Sequence, residues 1–277
     1  MASAGVRTPV EGPITVPPLF SLLSSAQVIE DNDERWAGSV SFDPESCAGD
    51  VFVAPLCPPG GFEKPTGDNP GIVDVEGFGV IAVDSCSPYS GREFAARARR
   101  KLLACQSKQI EKEFWTGAAM PGDPHLAATA STDFGFAHTP LEALALIEKE
   151  LGICGCGRGM IHMSPKMATL LCGDGNIMRV GDHLETCLGS IVVAGTGYPG
   201  TNPAGTLASG SEYMYGTGMV QVRLGKITVI PGNLGEALDR ATNSVNFYAE
   251  RPAMVLFDQP CCHLAVGGTL QDTPPGT

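Results

Sequence analysis

The run REFAARARRKLLACQSKQIEKEFWT, residues 92–116, decides the fold. It holds neither proline nor glycine, and Gly117 follows as a stop. Phe94, Ala98, Leu102, Cys105 and Gln109 trace one stripe at helical spacing; Leu103, Ile110 and Phe114 trace an adjacent one. About 25 residues at ~1.5 Å each predict a rod roughly 37 Å long, more than the usual globular helix. Arg92, Arg97, Arg99, Arg100 and Lys101 form the densest basic cluster of the chain in its first half. They are expected to face solvent or a partner.

Upstream, residues 37–83 alternate short β-like runs with turn chemistry. Ser39–Phe42, Val51–Val53, Ile72–Val75 and Val80–Val83 are separated by Asp43-Pro44, Pro58-Pro59-Gly60-Gly61 and Asp68-Asn69-Pro70-Gly71. A long two-stranded loop without a hydrophobic face is not stable alone, so it must pack on a neighbour. Residues 1–36 are Pro-rich and aperiodic, with an acidic patch at Glu30, Asp31, Asp33 and Glu34. They read as an arm that gains order only by lying on something else.

Downstream, Thr139 is placed to cap a helix, with Pro140 at its first position and Glu142 in its first turn, running through Leu144, Ile147 and Leu151. Gly159–Met163 reads as a buried strand, and Ser164-Pro165-Lys166 starts a short helix ending near Cys172-Gly173. Strands are expected at Ser190–Ala194, Met219–Leu224, Ile227–Ile230, Val245–Glu250 and Met254–Phe257, and a helix or turn at Leu234–Asn243. The fold class is mixed α+β, since helices and strands do not alternate as in a doubly wound sheet.

The chain has 277 residues, 43% of them hydrophobic, enough to build a core. Eighteen Lys and Arg against 30 Asp and Glu give a net charge of −12, which argues against a primary role in nucleic-acid binding. Only 17% of residues are charged, so much of the surface is expected to meet protein. No apolar run approaches the ~20 residues of a membrane span, and Met1–Leu19 does not read as a secretory signal. The ten cysteines are expected to be reduced thiols acting as small core residues. Cys154-Gly155-Cys156 near His162 is too tight for a zinc site, and the adjacent Cys261, Cys262 and His263 suit chelation poorly.

Gly195-Thr196-Gly197-Tyr198-Pro199-Gly200 matches G-x-G-x-x-G after a strand, but Thr201-Asn202-Pro203 follows where a dinucleotide site needs a helix. It reads as a wide glycine-proline loop. No nucleophile elbow, phosphate loop or carboxylate pair stands out. His125, His138 and His183 are expected at the surface, His162 and His263 as satisfied core residues. Accordingly no catalytic, cofactor-binding or metal-ligating residue is assigned, no cofactor is expected, and the chain does not read as an enzyme.

The order of elements resembles the major capsid protein fold of tailed bacteriophages, the HK97-type fold shared with encapsulin shells, and in flavour the phages of actinobacteria. Val83–Ser87 leading into the long helix, its Ile110–Gly117 end, Met160–Pro165, Leu188–Val193 with Gly197–Gly200, and Ala249–Val255 carry the resemblance. It implies an N-terminal arm (1–36), an extended β-loop over the adjacent subunit (37–80), and a peripheral domain with the spine helix (81–137). An axial domain (138–235) follows, then return strands of the peripheral domain with a C-terminal tail (236–277). It further implies self-assembly into hexamers and pentamers of a closed icosahedral shell in the virion, made in the host cytoplasm. Separate scaffolding, portal and decoration proteins and weak contact with packaged double-stranded DNA are implied partners; no membrane is. With only ~36 residues before the β-loop, scaffolding is expected to be separate or unnecessary. Lys64, the one lysine of the loop, is expected to be a solvated turn residue rather than a crosslink donor. An encapsulin shell is the alternative, with Pro9, Pro13, Pro17 and Pro18 against its N-terminal helix, and a cytosolic nucleotide-binding enzyme the second.

Overall fold

The computed structural model describes residues 15–44, 71–86, 93–137, 139–155, 158–207 and 209–270. In chain order its elements are α1 (Leu22–Ser25), β1 (Gln27–Glu30), β2 (Val40–Phe42), β3 (Val73–Val75), β4 (Phe78–Cys86), α2 (Phe94–Thr116), β5 (Thr132–Ala137) and α3 (Pro140–Cys154). Then come β6 (Met160–Met163), α4 (Pro165–Gly173), β7 (Ile177–Val180), β8 (His183–Thr186), β9 (Ile191–Ala194) and β10 (Ser211–Thr217). The last are β11 (Gln221–Leu224), β12 (Thr228–Ile230), α5 (Leu234–Ala237), β13 (Leu238–Asp239), β14 (Ser244–Leu256) and β15 (His263–Thr269). The expected strand at 51–53, Lys64, Cys47, Cys57, Arg92, His138, Cys156 and the prolines at 9 and 13 lie outside the described residues.

The long helix forms as its pattern predicts and ends on Gly117 in the left-handed conformation, φ 57°. Its inward face is Phe94, Ala98, Leu102, Ile110, Phe114 and Trp115, together with Ser107 and Glu111. Cys105 and Gln109, expected inward, are exposed: they keep the stripe of Phe94, Ala98 and Leu102, but from Ser107 onward the buried side of the helix shifts to Ser107, Ile110, Glu111, Phe114 and Trp115. This face packs on a sheet ordered β1-β11-β14-β12, with β4 and β13 also paired to β14. Alternate residues of β14, Val245, Phe247, Ala249 and Arg251, point into that core.

β14 is one strand where two were expected. Pro252 sits between the residues that pair with β12 (248–250) and those that pair with β11 (253–256). Its carbonyl accepts from Gly225 N at 2.9 Å, so its nitrogen faces the same side, away from the β4 ladder that continues from Val245 to Ala253. The missing N–H therefore removes no bond to β4.

The second sheet is ordered β5-β15-β10-β6-β9-β8-β7. α3 opens with the expected capping box, Thr139 and Glu142 bonding reciprocally, and α4 is capped by Ser164. Both helices bury Leu144, Ile147, Leu151, Met167 and Leu171 against this sheet. Residues 263–269, placed in the closing segment by sequence, are a strand inside this second sheet rather than tail. Conversely β11 and β12, at 221–230, belong to the first sheet. A third, small core of Trp36, Val73, Val75, Met254 and Leu256 seats the base of the long loop, where β2 pairs antiparallel with β3.

Two expectations are corrected. Residues 15–37 take their order from their own chain: Leu22 is fully buried and β1 adds in parallel to β11. The thiols are not all separate: Cys154 and Cys262, 108 residues apart, are paired as a disulfide with Cα atoms 5.3 Å apart. Cys105, Cys172 and Cys187 are free and exposed.

Candidate functional site

With no catalytic residue assigned, the candidate functional elements are those through which α2 holds the subunit together and those it leaves exposed. At its start, Asp84 of β4 is buried and receives Arg97 Nε at 2.9 Å and the Lys101 ammonium. Burial alone would raise the Asp84 carboxyl, but the two cations override it and hold it below the usual carboxylate range. Two members of the basic cluster thus serve the interior. Arg99, Arg100, Lys108 and Lys112 stand exposed, with no ion pair among the described residues.

At mid-helix, Gln106 accepts from Arg251 Nη1 at 3.0 Å. Arg251, 5% exposed, also donates twice to Gly225 O, at 2.9 and 2.7 Å, and to Glu30 at 3.3 Å. One guanidinium thus joins α2, β14, the turn after β11, and β1, using the planar fork that a lysine lacks.

At the far end Glu111 is fully buried and accepts from Leu22 N at 3.0 Å, Gly197 N at 2.9 Å and Ser107 Oγ at 3.1 Å. Desolvation raises its pKa, against the pull of those donors. The G-x-G-x-x-G match therefore resolves as packing. A Cβ on Gly197 would lie 2.1 Å from Lys108 O, and one on Gly195 2.5 Å from the Tyr198 ring. The loop lies directly on the helix backbone, and no helix follows Gly200 among the described residues up to 207. Beside it Trp115 Nε1 donates to Thr201 Oγ1 at 2.9 Å, and Trp115 packs on Tyr198 and Tyr215.

Of the four described histidines, His162 and His263 are buried, as expected, although His263 Nδ1 has no hydrogen-bond partner among the described residues; His125, expected at the surface, is half-buried. His162 is fully buried between Tyr198 Oη at 3.1 Å and Thr217 Oγ1 at 3.0 Å, and burial lowers its pKa to about 3. His263 meets Leu126 O at 2.8 Å and is lowered to about 4, again by burial. His183 lies at the β7–β8 turn between Asp182 and Glu185, whose hydrogen bonds raise it. His125 is half-buried against Asp123 O at 2.9 Å.

On the first sheet, the face opposite α2 carries Val83, Tyr248 and Ile230 in register across β4, β14 and β12, with Ile81 nearby. All four are exposed, at 46, 41, 48 and 60%. Sequence reasoning missed this row, because its residues are far apart in the chain; only the cross-strand register collects them.

Neither a protein-family model nor a curated protein matches the sequence. Solved structures do. The chain is similar to the capsid of the empty GTA particle, at a TM-score of 0.56 and 12% identity, over 97% of this chain and 94% of that one. It is similar to the holo-SrpI encapsulin complex from Synechococcus elongatus PCC 7942, at a TM-score of 0.57 and 11% identity, covering 99% and 95%. A chain of Mycobacterium phage Adephagia matches at 0.55 and 12% identity, covering 98% and 96%. The α+β expectation and the HK97-type fold are both borne out.

Proposed function

We propose that this chain is the major capsid protein of a tailed bacteriophage. It is a structural subunit that self-assembles through hexamers and pentamers into an icosahedral head enclosing double-stranded DNA, built in the host cytoplasm and carried in the virion. The observation that supports this best is the fold match to the GTA capsid over nearly the whole of both chains. The physics agrees. Closed shells need heterologous contacts that close into rings, and obligate interfaces commonly bury more than ~2,000 Å². The exposed row of Val83, Tyr248 and Ile230 and the unpaired basic face of α2 are surfaces of that kind. In this reading residues 1–36 are the arm, 37–80 the loop over the adjacent subunit, and 81–137 the peripheral domain. Residues 138–235 form the axial domain, with the return strands after it; following the sheet order, β5 and β15 are transferred to the axial side, and β11 and β12 to the peripheral side. A net charge of −12 suits a wall that holds DNA weakly, since tight counterion-releasing contacts would hinder packaging and ejection.

Light scattering of the purified full chain tests the reading: megadalton particles are expected, and a 28.8 kDa monomer would overturn it. An encapsulin-type shell is the second reading, favoured by the equally good match to the SrpI complex. Particles from the native source that protect DNA from nuclease support the phage head; particles holding only protein support the encapsulin. Separate scaffolding, portal and decoration proteins belong to the phage reading.

The basic face of α2 is assigned mainly to contact between subunits. Reversing Arg99 and Arg100 to glutamate is expected to lower the assembled fraction at least about tenfold, because like charges set against a partner cost several kcal/mol. The subunit itself should stay folded, as neither side chain has an ion pair to lose among the described residues. Shells that assemble normally but retain less DNA would reassign the face to the genome.

A further inference from the structure

We propose that Cys154 and Cys262 are a modification site: a thiol pair whose two-electron oxidation clasps the C-terminal end of α3 to the entry of β15. The argument starts from placement. Cys154 is the last residue of α3 and partly exposed; Cys262, 2% exposed, directly precedes β15. Their Cα atoms are 5.3 Å apart, inside the span that a disulfide bridges without backbone movement. Both flanking elements are fixed independently, α3 by its capping box and buried leucines, β15 by pairing with β5 and β10. The pair is thus held at bonding distance whether or not the bond exists. The free thiols Cys105, Cys172 and Cys187 lie on α2, on α4 and in the turn after β8.

Access is one-sided. A cavity of about 320 Å³ lies against Cys154, lined also by Ala130, Thr132, Gln259, Cys261 and His263. Cys261 is itself disulfide-bonded, so oxidative chemistry is not confined to one thiol of this corner. The oxidant required is a small-molecule disulfide of the glutathione class. The Cys154 thiolate attacks one sulfur of the reagent, forming a mixed disulfide and releasing one thiol. The Cys262 thiolate then attacks the Cys154 sulfur and expels the second. Two protein thiols and one reagent disulfide become one protein disulfide and two small thiols. In a reducing cytosol the clasp stands open; in an oxidising exterior it closes. That timing, open during assembly and closed in the released particle, rests on the shell reading. The clasp itself does not.

The test uses the full-length chain, split between oxidised glutathione and dithiothreitol, then alkylated in denaturant and mapped by mass spectrometry. After oxidation, Cys154 and Cys262 are expected to resist alkylation and appear as one linked peptide pair, with fragmentation placing the link on Cys262. After dithiothreitol both should alkylate. The oxidised protein should melt roughly 5–10 °C above the reduced one, as closing a loop of this length predicts. That difference should vanish in Cys262→Ser, and in Cys154→Ser should the buried serine at 262 disturb folding. Full alkylation of both thiols after oxidation, or equal melting temperatures, would overturn the proposal. So would stoichiometric zinc that shields the thiols until a chelator is added. A linked peptide in a chain that stays monomeric would remove the shell reading and leave the clasp standing.

Discussion

Alanine at position 197 is expected to destabilise the subunit by about 3–5 kcal/mol, at the upper end of what overpacking in a rigid site does. The added carbon would fall 2.1 Å from Lys108 O and 2.8 Å from both Glu111 Cβ and Lys112 N. Two of these three atoms are backbone of a long helix anchored at both ends, so nothing nearby can move cheaply. The loop must lift instead. Lifting it breaks the Gly197 N bond to Glu111, leaving a buried carboxylate short of a donor. Gly79→Ala is the control, because its Cβ would meet nothing within 4 Å and its backbone is not left-handed. Thermal melting and soluble yield of the two variants decide the matter. A Gly197→Ala protein that melts with Gly79→Ala would show that the loop does not lie where the geometry has it.

Acid should weaken the subunit well before ordinary carboxylate titration begins. His162 and His263 have folded pKa values of about 3 and about 4, against 6.5 for an unburied histidine. Below pH 6.5 the unfolded chain therefore binds more protons than the folded one, and stability falls with falling pH until the folded values are reached. Each histidine costs about 1.4 kcal/mol per pH unit in that window. By pH 5 the pair removes about 4 kcal/mol, a large part of the ~5–15 kcal/mol that holds a typical domain. Asp84 adds to the loss at lower pH, as its depressed carboxyl is protonated. Glu111 opposes it, since a folded carboxyl raised by burial takes its proton more readily than the unfolded one. Melting temperatures between pH 7 and 5 are expected to drop steeply, and less so in His162→Gln. A flat profile would mean that the imidazoles are not buried neutral.

Sequence made the strongly periodic and well-punctuated parts legible. α2 with its Gly117 stop and α3 with its Thr139 cap stand where local chemistry puts them. Elements whose form depends on distant neighbours stayed hidden. β10 buries every residue from Tyr213 to Thr217, so no alternation marks it as a strand. β15 carries Gly267 and Gly268 just before its last residue, Thr269, and they imitate a tail. Gly267 is small because Phe136 and Tyr213 occupy the space a Cβ would need, at 2.5 and 2.9 Å. The glycines of 195–200 carry a literal nucleotide motif for the same kind of reason, the approach of a helix backbone. The pairing of Cys154 with Cys262 and the row of Val83, Tyr248 and Ile230 exist only after the sheets are assembled.

Electron microscopy of the purified full-length chain addresses the shell assignment without intermediaries. Closed, faceted particles tens of nanometres across are the expected image, with a reconstructed wall in which the strand of residues 73–75 leads outward onto an adjacent copy. A field of small, separate molecules at the concentrations where related shells form would contradict the assignment.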